Sequence, residues 1–577
     1  MRVVAFLTGV ASAAAGAYAA NLSDVCTLDY VKSTLPIDGF IQGISIITSS
    51  ILVNSVGNYS LSGASSTRYD LCNVTFAYSH QGLDDTTNVW YWLPSPAQFQ
   101  NRYLSTGGGG FSITSGERGL SAGLPYGAVA GTTDGGLGSW SAQLTDKILL
   151  SNGTLAYDPL FMFAYKAIHE MSVLGKEFTA RFYNSSKVYS YYQGCSEGGR
   201  EGFSQVQRYG SQFDGAAIGA PAMRMASQQI IHLFSAVVET TNDYFPSRCE
   251  MTRIATDVIE ACDLLDGRAD GVVSRSDLCK IHYNTTAAIG KSYSCAASSG
   301  GGGMFGPGGG GGSSPAAEGK VTAEAAKIAD ELWKGLVDSN GRLAYIAYQP
   351  SANFDDAATT YNNTTQKYEA TVSGIGVQWV NYFLKEIASM ELPITNVTYD
   401  TLRDWMVQGM QKYSDTLQTN WPDLDDFQRN GGKIIHYHGE SDPSIPAGSS
   451  VIYHEAVRNT MYPNLGYNES FAKLNEWYRF FLVPGAGHCG ASINQPNGPF
   501  PTDVLASVID WVENAVDPVR LNATVSRGNV TDVHQQLCSW PLRPYWVNNG
   551  TTMDCVYDQA SIDSWDTSFD SIPLPIW

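Results

Sequence analysis

The chain has 577 residues, ten cysteines, 58 glycines and a formal net charge of −20. That length can bury at least one large core and supports two or three folding units. Such acidity argues against a polyanionic partner, so no nucleic acid is expected, but it identifies no substrate.

Residues 1–19 carry one positive residue, Arg2, then an apolar run and a small-residue end, Ala17-Tyr18-Ala19. This reads as a secretory signal peptide. No later segment approaches about 18 uninterrupted apolar residues, so no membrane partner is expected and the mature chain should be secreted and extracellular. Cysteines in such a chain point to disulfides rather than metal thiolates. N-x-[ST] acceptors, among them Asn58, Asn73, Asn152, Asn284, Asn396 and Asn522, point to N-glycans.

From 21 to about 165 the sequence alternates short apolar and aromatic runs with Gly, Ser and Asn, and strands are predicted over 41–51, 74–78 and 89–93. Tyr103-Leu104-Ser105-Thr106 then runs into Gly107-Gly108-Gly109-Gly110-Phe111. A strand ending in glycines well ahead of a nucleophile fits the loop that supplies one oxyanion-hole N–H in α/β-hydrolases. The alternative is a flexible glycine turn.

Next comes a β-prone run, 187–192, followed by Gly194-Cys195-Ser196-Glu197-Gly198-Gly199 and a helical stretch from Arg200. Strand, G-x-S-x-G, helix is the context of a nucleophile elbow, in which glycines permit a sharp turn that lifts Ser196 Oγ clear of the sheet. By itself the pattern also fits a plain glycine turn. After a buried strand near 213–219 the alternation stops. From roughly 224 to 425 the chain reads as an inserted mixed lid, with a helix over 322–336 and a Gly-rich loop over 298–314 expected to be disordered. A hydrophobic strand over 432–439 returns to the sheet, followed by a strand at 477–483 and a helix at 502–514. The expected fold is an α/β-hydrolase sheet with a large inserted lid: signal peptide 1–19, catalytic domain 20–223 and 426–577, lid 224–425.

In this architecture the acid and the base follow late strands. Asp442 stands in Glu440-Ser441-Asp442-Pro443 and His488 in Gly485-Ala486-Gly487-His488-Cys489. A weak hydroxyl nucleophile needs an imidazole to take its proton, and the imidazole needs a carboxylate to fix its tautomer. Glu440 could replace Asp442, although Asp442 precedes the turn and suits the role better. His436 and His438 read as core or rim groups. Cys195 adjoins Ser196 and Cys489 adjoins His488. A bridge between them would hold their Cα atoms within roughly 4.4–6.8 Å and pin nucleophile and base together. Glu197 N–H is the expected first oxyanion donor, and Gly108 or Gly109 N–H the second. A separate stretch, Cys262-Asp263-Leu264-Leu265-Asp266-Gly267-Arg268-Ala269-Asp270-Gly271-Val272, suits a hard cation such as Ca²⁺. It could equally be an acidic surface turn closed by a Cys262–Cys279 bridge.

Cys195-Ser196, Asp442 and His488-Cys489 together resemble the tannase and feruloyl esterase family of secreted α/β-hydrolases, across essentially the whole mature chain. The resemblance implies a structural calcium held by Asp263, Asp266 and Asp270 with carbonyls at Arg268 and Val272, and no cofactor for catalysis. The stretches 194–209, 261–279 and 436–446 are most similar to the tannin-hydrolysing branch. This implies galloyl and other phenolic-acid esters as substrates and gallic acid as product. Some members are cut in the lid at a dibasic site; the Gly-rich segment here has no Lys/Arg pair, so a single chain is expected. The remaining cysteines are expected to pair as Cys26–Cys72, Cys249–Cys295 and Cys538–Cys555. Two alternatives stay open: a feruloyl esterase on the same scaffold, and an inactive hydrolase-fold binding protein.

Overall fold

The computed structural model describes residues 21–61, 66–297, 314–528 and 533–574. The expected signal peptide, and the Gly-rich segment up to residue 313, lie outside the described residues. Among them no helix is long and apolar enough to cross a membrane.

A nine-stranded sheet carries the chain. In sequence order its strands are β1 Ile44–Tyr59, β2 Tyr69–His80, β3 Thr87–Pro94, β4 Arg102–Thr106, β5 Ala128–Thr133, β6 Tyr189–Cys195, β7 Gly215–Gly219, β8 Lys433–Gly439 and β9 Tyr478–Val483. The spatial order is β1-β2-β3-β5-β4-β6-β7-β8-β9. The first three pairings, β1–β2, β2–β3 and β3–β5, are antiparallel, and the rest are parallel. Parallel strands need both faces covered, so they read as continuous apolar runs. β7 and β9 are buried at every residue. The expected strand at 41–51 is longer than its apolar run suggests. β1 continues to Tyr59 because it is an edge strand whose outer face tolerates Ser and Asn, with a register shift between Ile47 and Leu52.

Two apolar layers flank the sheet. One joins Tyr91, Tyr103, Phe178, Phe203 and Ile218 to the chain between β7 and β8, through Phe234, Trp379 and Tyr413. The other gathers Leu104, Tyr191, Ala217, Ile435, Phe481, Val508 and Trp511. α1 (Ala167–Phe182) and α2 (Glu197–Arg208) belong to the first layer and the helix Val504–Asn514 to the second. Helix and sheet touch closely: a Cβ at Gly215 would lie 2.4 Å from Val508 Cγ1.

Between Gly219 and Lys433 the described residues add no strand to this sheet. It opens with α3 (Met225–Asn242) and α4 (Arg248–Cys262). The helix predicted over 322–336 runs from Ala323 to Lys334, capped by Thr322 Oγ1, which accepts from Ala325 N–H. It stops short of Leu336 because Gly335 takes φ +84° and turns the chain into a short strand. After β9 the tail returns across the sheet. Trp540 N–H donates to Phe480 O, and Arg543, fully buried, reaches both Glu440 and Asp277. All ten cysteines are paired, as Cys26–Cys72, Cys195–Cys489, Cys249–Cys295, Cys262–Cys279 and Cys538–Cys555.

Candidate active site

β6 ends at Cys195 and α2 begins at Glu197, so Ser196 alone makes the turn. Its φ of +64° is rare for a residue with a side chain. The neighbouring glycines allow that geometry. A Cβ at Gly194 would sit 2.4 Å from Gly198 O, and one at Gly199 2.4 Å from Gly219 O. Larger residues would push the elbow off the sheet.

Asp442 follows β8 and His488 follows β9, as the strand order requires. His488 Nδ1 lies 2.7 Å from Asp442 Oδ2. The other carboxylate oxygen, Oδ1, accepts the N–H groups of Ser444 and Ile445 at 2.8 and 2.9 Å. Burial by itself would push the Asp442 carboxyl up, but attraction to His488 and hydrogen bonds from His438 and His488 outweigh it. The group is held well below the usual carboxylate range. The Cys195–Cys489 bridge spans 6.0 Å between Cα atoms and ties the nucleophile turn to the histidine turn. Glu440 is engaged elsewhere: its Oε2 accepts from Ser276 Oγ and from Arg543.

The glycine loop departs from expectation. Gly108 N–H donates to Glu201 Oε2 at 2.9 Å, and Gly109 N–H donates to Ser112 O at 3.0 Å. Both groups expected as the second oxyanion donor are therefore already spent. The reason is local: residues 109–112 close into a tight hairpin, and α2 presents a buried carboxyl to the backbone at 108. Gly110, at the tip of that turn with φ +63°, lines the same cavity as Ser196. No described group uses its N–H or that of Glu197.

Beneath the elbow Arg200 is fully buried and donates to Glu197 Oε1, to the carbonyls of Phe163 and Ala164, and to Thr419 Oγ1. Burial, opposed by Arg200, pushes the Glu197 carboxyl up to about 7. Burial and the neighbouring Glu197 push Glu201 well above the usual range.

A small cavity opens over Ser196, lined also by Glu197, Gly110, Ala222, Ser444 and Ile445. Its far wall comes from α3, which presents Gln228, Gln229 and His232. His232 Nδ1 lies 2.7 Å from Asp356 Oδ2, and Tyr348 O–H donates to the same oxygen at 2.9 Å. The Oε1 atoms of Gln228 and Gln229 are buried without a hydrogen-bond partner. A buried acceptor left unpaired is costly, and both glutamines line the cavity. Sequence reasoning missed this wall. The only available signal was polar residues inside the otherwise apolar run of α3.

In the acidic loop Asp263 Oδ1 accepts the N–H groups of Asp270, Gly271 and Val272, and so caps the loop. Asp266 Oδ1 accepts from Arg268 N–H, while its Oδ2 is buried and unpartnered. Burial pushes the carboxyls of Asp266 and Asp270 up to about 6. Among the described residues no three His, Cys, Asp or Glu side chains converge on one point as a metal cluster.

The chain is similar to known proteins over most of its length. Residues 72–562 match the family profile described as tannase and feruloyl esterase. A tannase of Aspergillus oryzae is 47% identical over 98% of this chain and 99% of its own length. A probable feruloyl esterase of Arthroderma benhamiae is 30% identical over 86% of this chain and 87% of its own. The solved structure of a tannin acyl hydrolase from Aspergillus niger superposes with a TM-score of 0.92 at 50% identity, covering 96% of this chain and 99% of that one. Feruloyl esterase B from Aspergillus oryzae shares the fold, with a TM-score of 0.69 at 24% identity. The chain belongs to the tannase and feruloyl esterase family of carboxylic-ester hydrolases.

Proposed function

We propose that this protein hydrolyses galloyl esters and depsides of tannins and releases gallic acid, with Ser196 as nucleophile, His488 as base and Asp442 as its orienting carboxylate. In this reading His488 takes the Ser196 proton as Oγ attacks the galloyl carbonyl. The oxyanion collapses, the His488 proton goes to the departing alcohol or phenol, and water then hydrolyses the galloyl-enzyme by the same route. Glu197 N–H is the first oxyanion donor. With Gly108 and Gly109 committed, Gly110 N–H becomes the second.

The observation that carries the galloyl reading is the pair of unpartnered acceptors, Gln228 Oε1 and Gln229 Oε1, in the wall opposite Ser196. Side-chain amides at these two positions offer polar partners to ring hydroxyls, whereas a methoxy group cannot donate. The near-full-length likeness to the Aspergillus oryzae tannase supports the same choice. The test is parallel hydrolysis of methyl gallate and methyl ferulate by wild type and Gln229→Leu. Wild type should prefer gallate, and Gln229→Leu should lose gallate turnover while narrowing the gap to ferulate. A wild type that turns over ferulate alone would make this a feruloyl esterase on the same scaffold.

A structural Ca²⁺ is proposed in the acidic loop, with donors from Asp263, Asp266 and Asp270 and the carbonyls of Arg268 and Val272. The fit rests on the unpartnered buried Asp266 Oδ2 and the hard oxygen character of the donor set. The ion would tie the loop together and plays no part in the chemistry at Ser196. Secretion and N-glycosylation are proposed as well, supported by five disulfides, which persist in oxidising compartments.

A further inference from the structure

Asp442 faces a second histidine. On β8, His438 is fully buried, and its Nε2 lies 3.2 Å from Asp442 Oδ2, the oxygen that His488 also contacts, and 3.0 Å from Ile445 O. Its other nitrogen, Nδ1, lies 2.7 Å from Ser450 Oγ. Behind it, Ser450 Oγ lies 2.9 Å from His436 Nε2, and His436 Nδ1 lies 2.8 Å from the hydroxyl of Tyr478. All these side chains are buried.

The proton positions in this chain follow from its far end. Among the described residues Tyr478 O–H has no other acceptor, so it donates to His436 Nδ1. Burial in an apolar pocket, with His438 and His454 nearby, holds His436 neutral, so its single N–H sits on Nε2 and points at Ser450. Ser450 accepts that proton's bond and turns its own O–H onto His438 Nδ1. His438, with Nδ1 accepting, carries its proton on Nε2, opposite Asp442 Oδ2 and Ile445 O. Every donor then has an acceptor, and the direction runs one way from Tyr478 to Asp442.

We propose that His438 is a positioning residue for the reaction at Ser196: locked in its Nε2–H tautomer by Ser450, His436 and Tyr478, it shares Asp442 Oδ2 with His488. The inference rests on the triad assigned above and goes beyond it. With His438 added, Asp442 receives four donors, the others being His488 Nδ1–H and the N–H groups of Ser444 and Ile445. Two effects follow. The carboxylate cannot rotate away from His488. And a donor on Oδ2 draws charge off the oxygen that faces the imidazole, so its removal should show in the pH profile of turnover. The remaining titratable groups around this carboxylate are Tyr348, which faces it from the chain between β7 and β8 beside Asp356, and His454, which stands next to His436 on the helix Gly448–Met461. None of these donates to Asp442.

The experiment is the pH dependence of kcat and kcat/KM for methyl gallate hydrolysis by wild type, His438→Phe, His438→Gln, Ser450→Ala and Ser196→Ala, with melting curves to confirm folding. His438→Phe keeps the ring volume and removes the donor. It should lower kcat by about tenfold, the kinetic equivalent of one charge-assisted hydrogen bond. KM should change little, and the acidic limb of kcat/KM should move up by roughly one pH unit. His438→Gln places an amide N–H near the position of Nε2 and should restore most of kcat and the wild-type limb. Should His438→Phe not fold, Ser450→Ala provides the reading: it unlocks the tautomer and should move the limb in the same direction by less. A wild-type acidic limb in every folded variant overturns the proposal, as does His438→Gln no better than His438→Phe. Turnover retained by Ser196→Ala overturns the triad itself, a failure distinguishable from that of the His438 role.

Discussion

Replacing Cys195 and Cys489 together by alanine separates two jobs that one disulfide performs. The bridge closes a span of 294 residues. On the chain-entropy account a loop of that size removes about 6 kcal/mol of freedom from the unfolded ensemble, above the range usually seen for single disulfides. That part affects stability alone. The second job is specific to this fold. Ser196 and His488 sit on turns after β6 and β9, and these strands are separated in the sheet by β7 and β8. No other covalent link joins those two turns, and both Ser196 and Cys489 hold positive φ values, +64° and +55°, that the bridge braces. A misplacement of about 1 Å between nucleophile and base costs about 100-fold in rate. The double variant, assayed at a temperature where circular dichroism shows it folded, should therefore lose about 100-fold in kcat with KM for methyl gallate nearly unchanged, because the α3 wall is untouched. Urea unfolding should show the stability loss separately. A folded variant with wild-type kcat would refute the reasoning and leave the bridge a purely thermodynamic device.

Two further expectations concern buried charge. Arg543 is enclosed with Glu440 and Asp277, so Arg543→Met strands Glu440 in the core, leaves Asp277 to Arg275 alone, and should cost about 3–5 kcal/mol at pH 7 by urea denaturation. The pH dependence has a definite sign. Burial would raise the Asp277 carboxyl, but Arg543 and Arg275 outweigh it and hold it well below the usual range. Its contribution is therefore full above about pH 4 and is lost as pH falls further. In the variant Glu440 loses the arginine that opposes its burial and prefers the protonated form, so the gap to wild type should shrink between pH 7 and 4; a constant gap would contradict the assignment. In the acidic loop, EDTA should lower the melting temperature of wild type and Ca²⁺ should restore it, while Asp266→Asn should be indifferent to both. A wild type equally indifferent would remove calcium from the account.

The parts of the site legible in sequence were those fixed by short-range chemistry. Gly194 to Gly199 announces an elbow because each glycine is needed within a few residues of Ser196. Cys195 and Cys489 announce their partnership because each adjoins a residue that chemistry requires. Asp442 and His488 follow from strand order, with the turn after Asp442 and the adjoining Cys489 to single them out. What stayed hidden depends on long-range packing. The commitment of Gly108 N–H to Glu201 spans 93 residues and arises only when α2 docks against the glycine loop. His438 looked like a core residue because nothing near it in sequence reveals that Ser450 and Tyr478 orient its ring. The polar wall of α3 was equally silent, since Gln228, Gln229 and His232 resemble the ordinary polar face of a helix until the cavity puts them opposite Ser196. The helix predicted to reach 336 failed at Gly335 for a local reason, a positive φ that periodicity does not register.

Chemistry at Ser196 decides whether this chain opens galloyl esters. Its most direct test is the rate of methyl gallate hydrolysis by wild type and by Ser196→Ala, measured beside methyl ferulate under the same conditions. Wild type should turn over gallate faster than ferulate, and gallate turnover should fall by about 10⁶-fold in the variant, as expected for loss of a triad nucleophile. Gallate turnover that survives in Ser196→Ala would contradict that role.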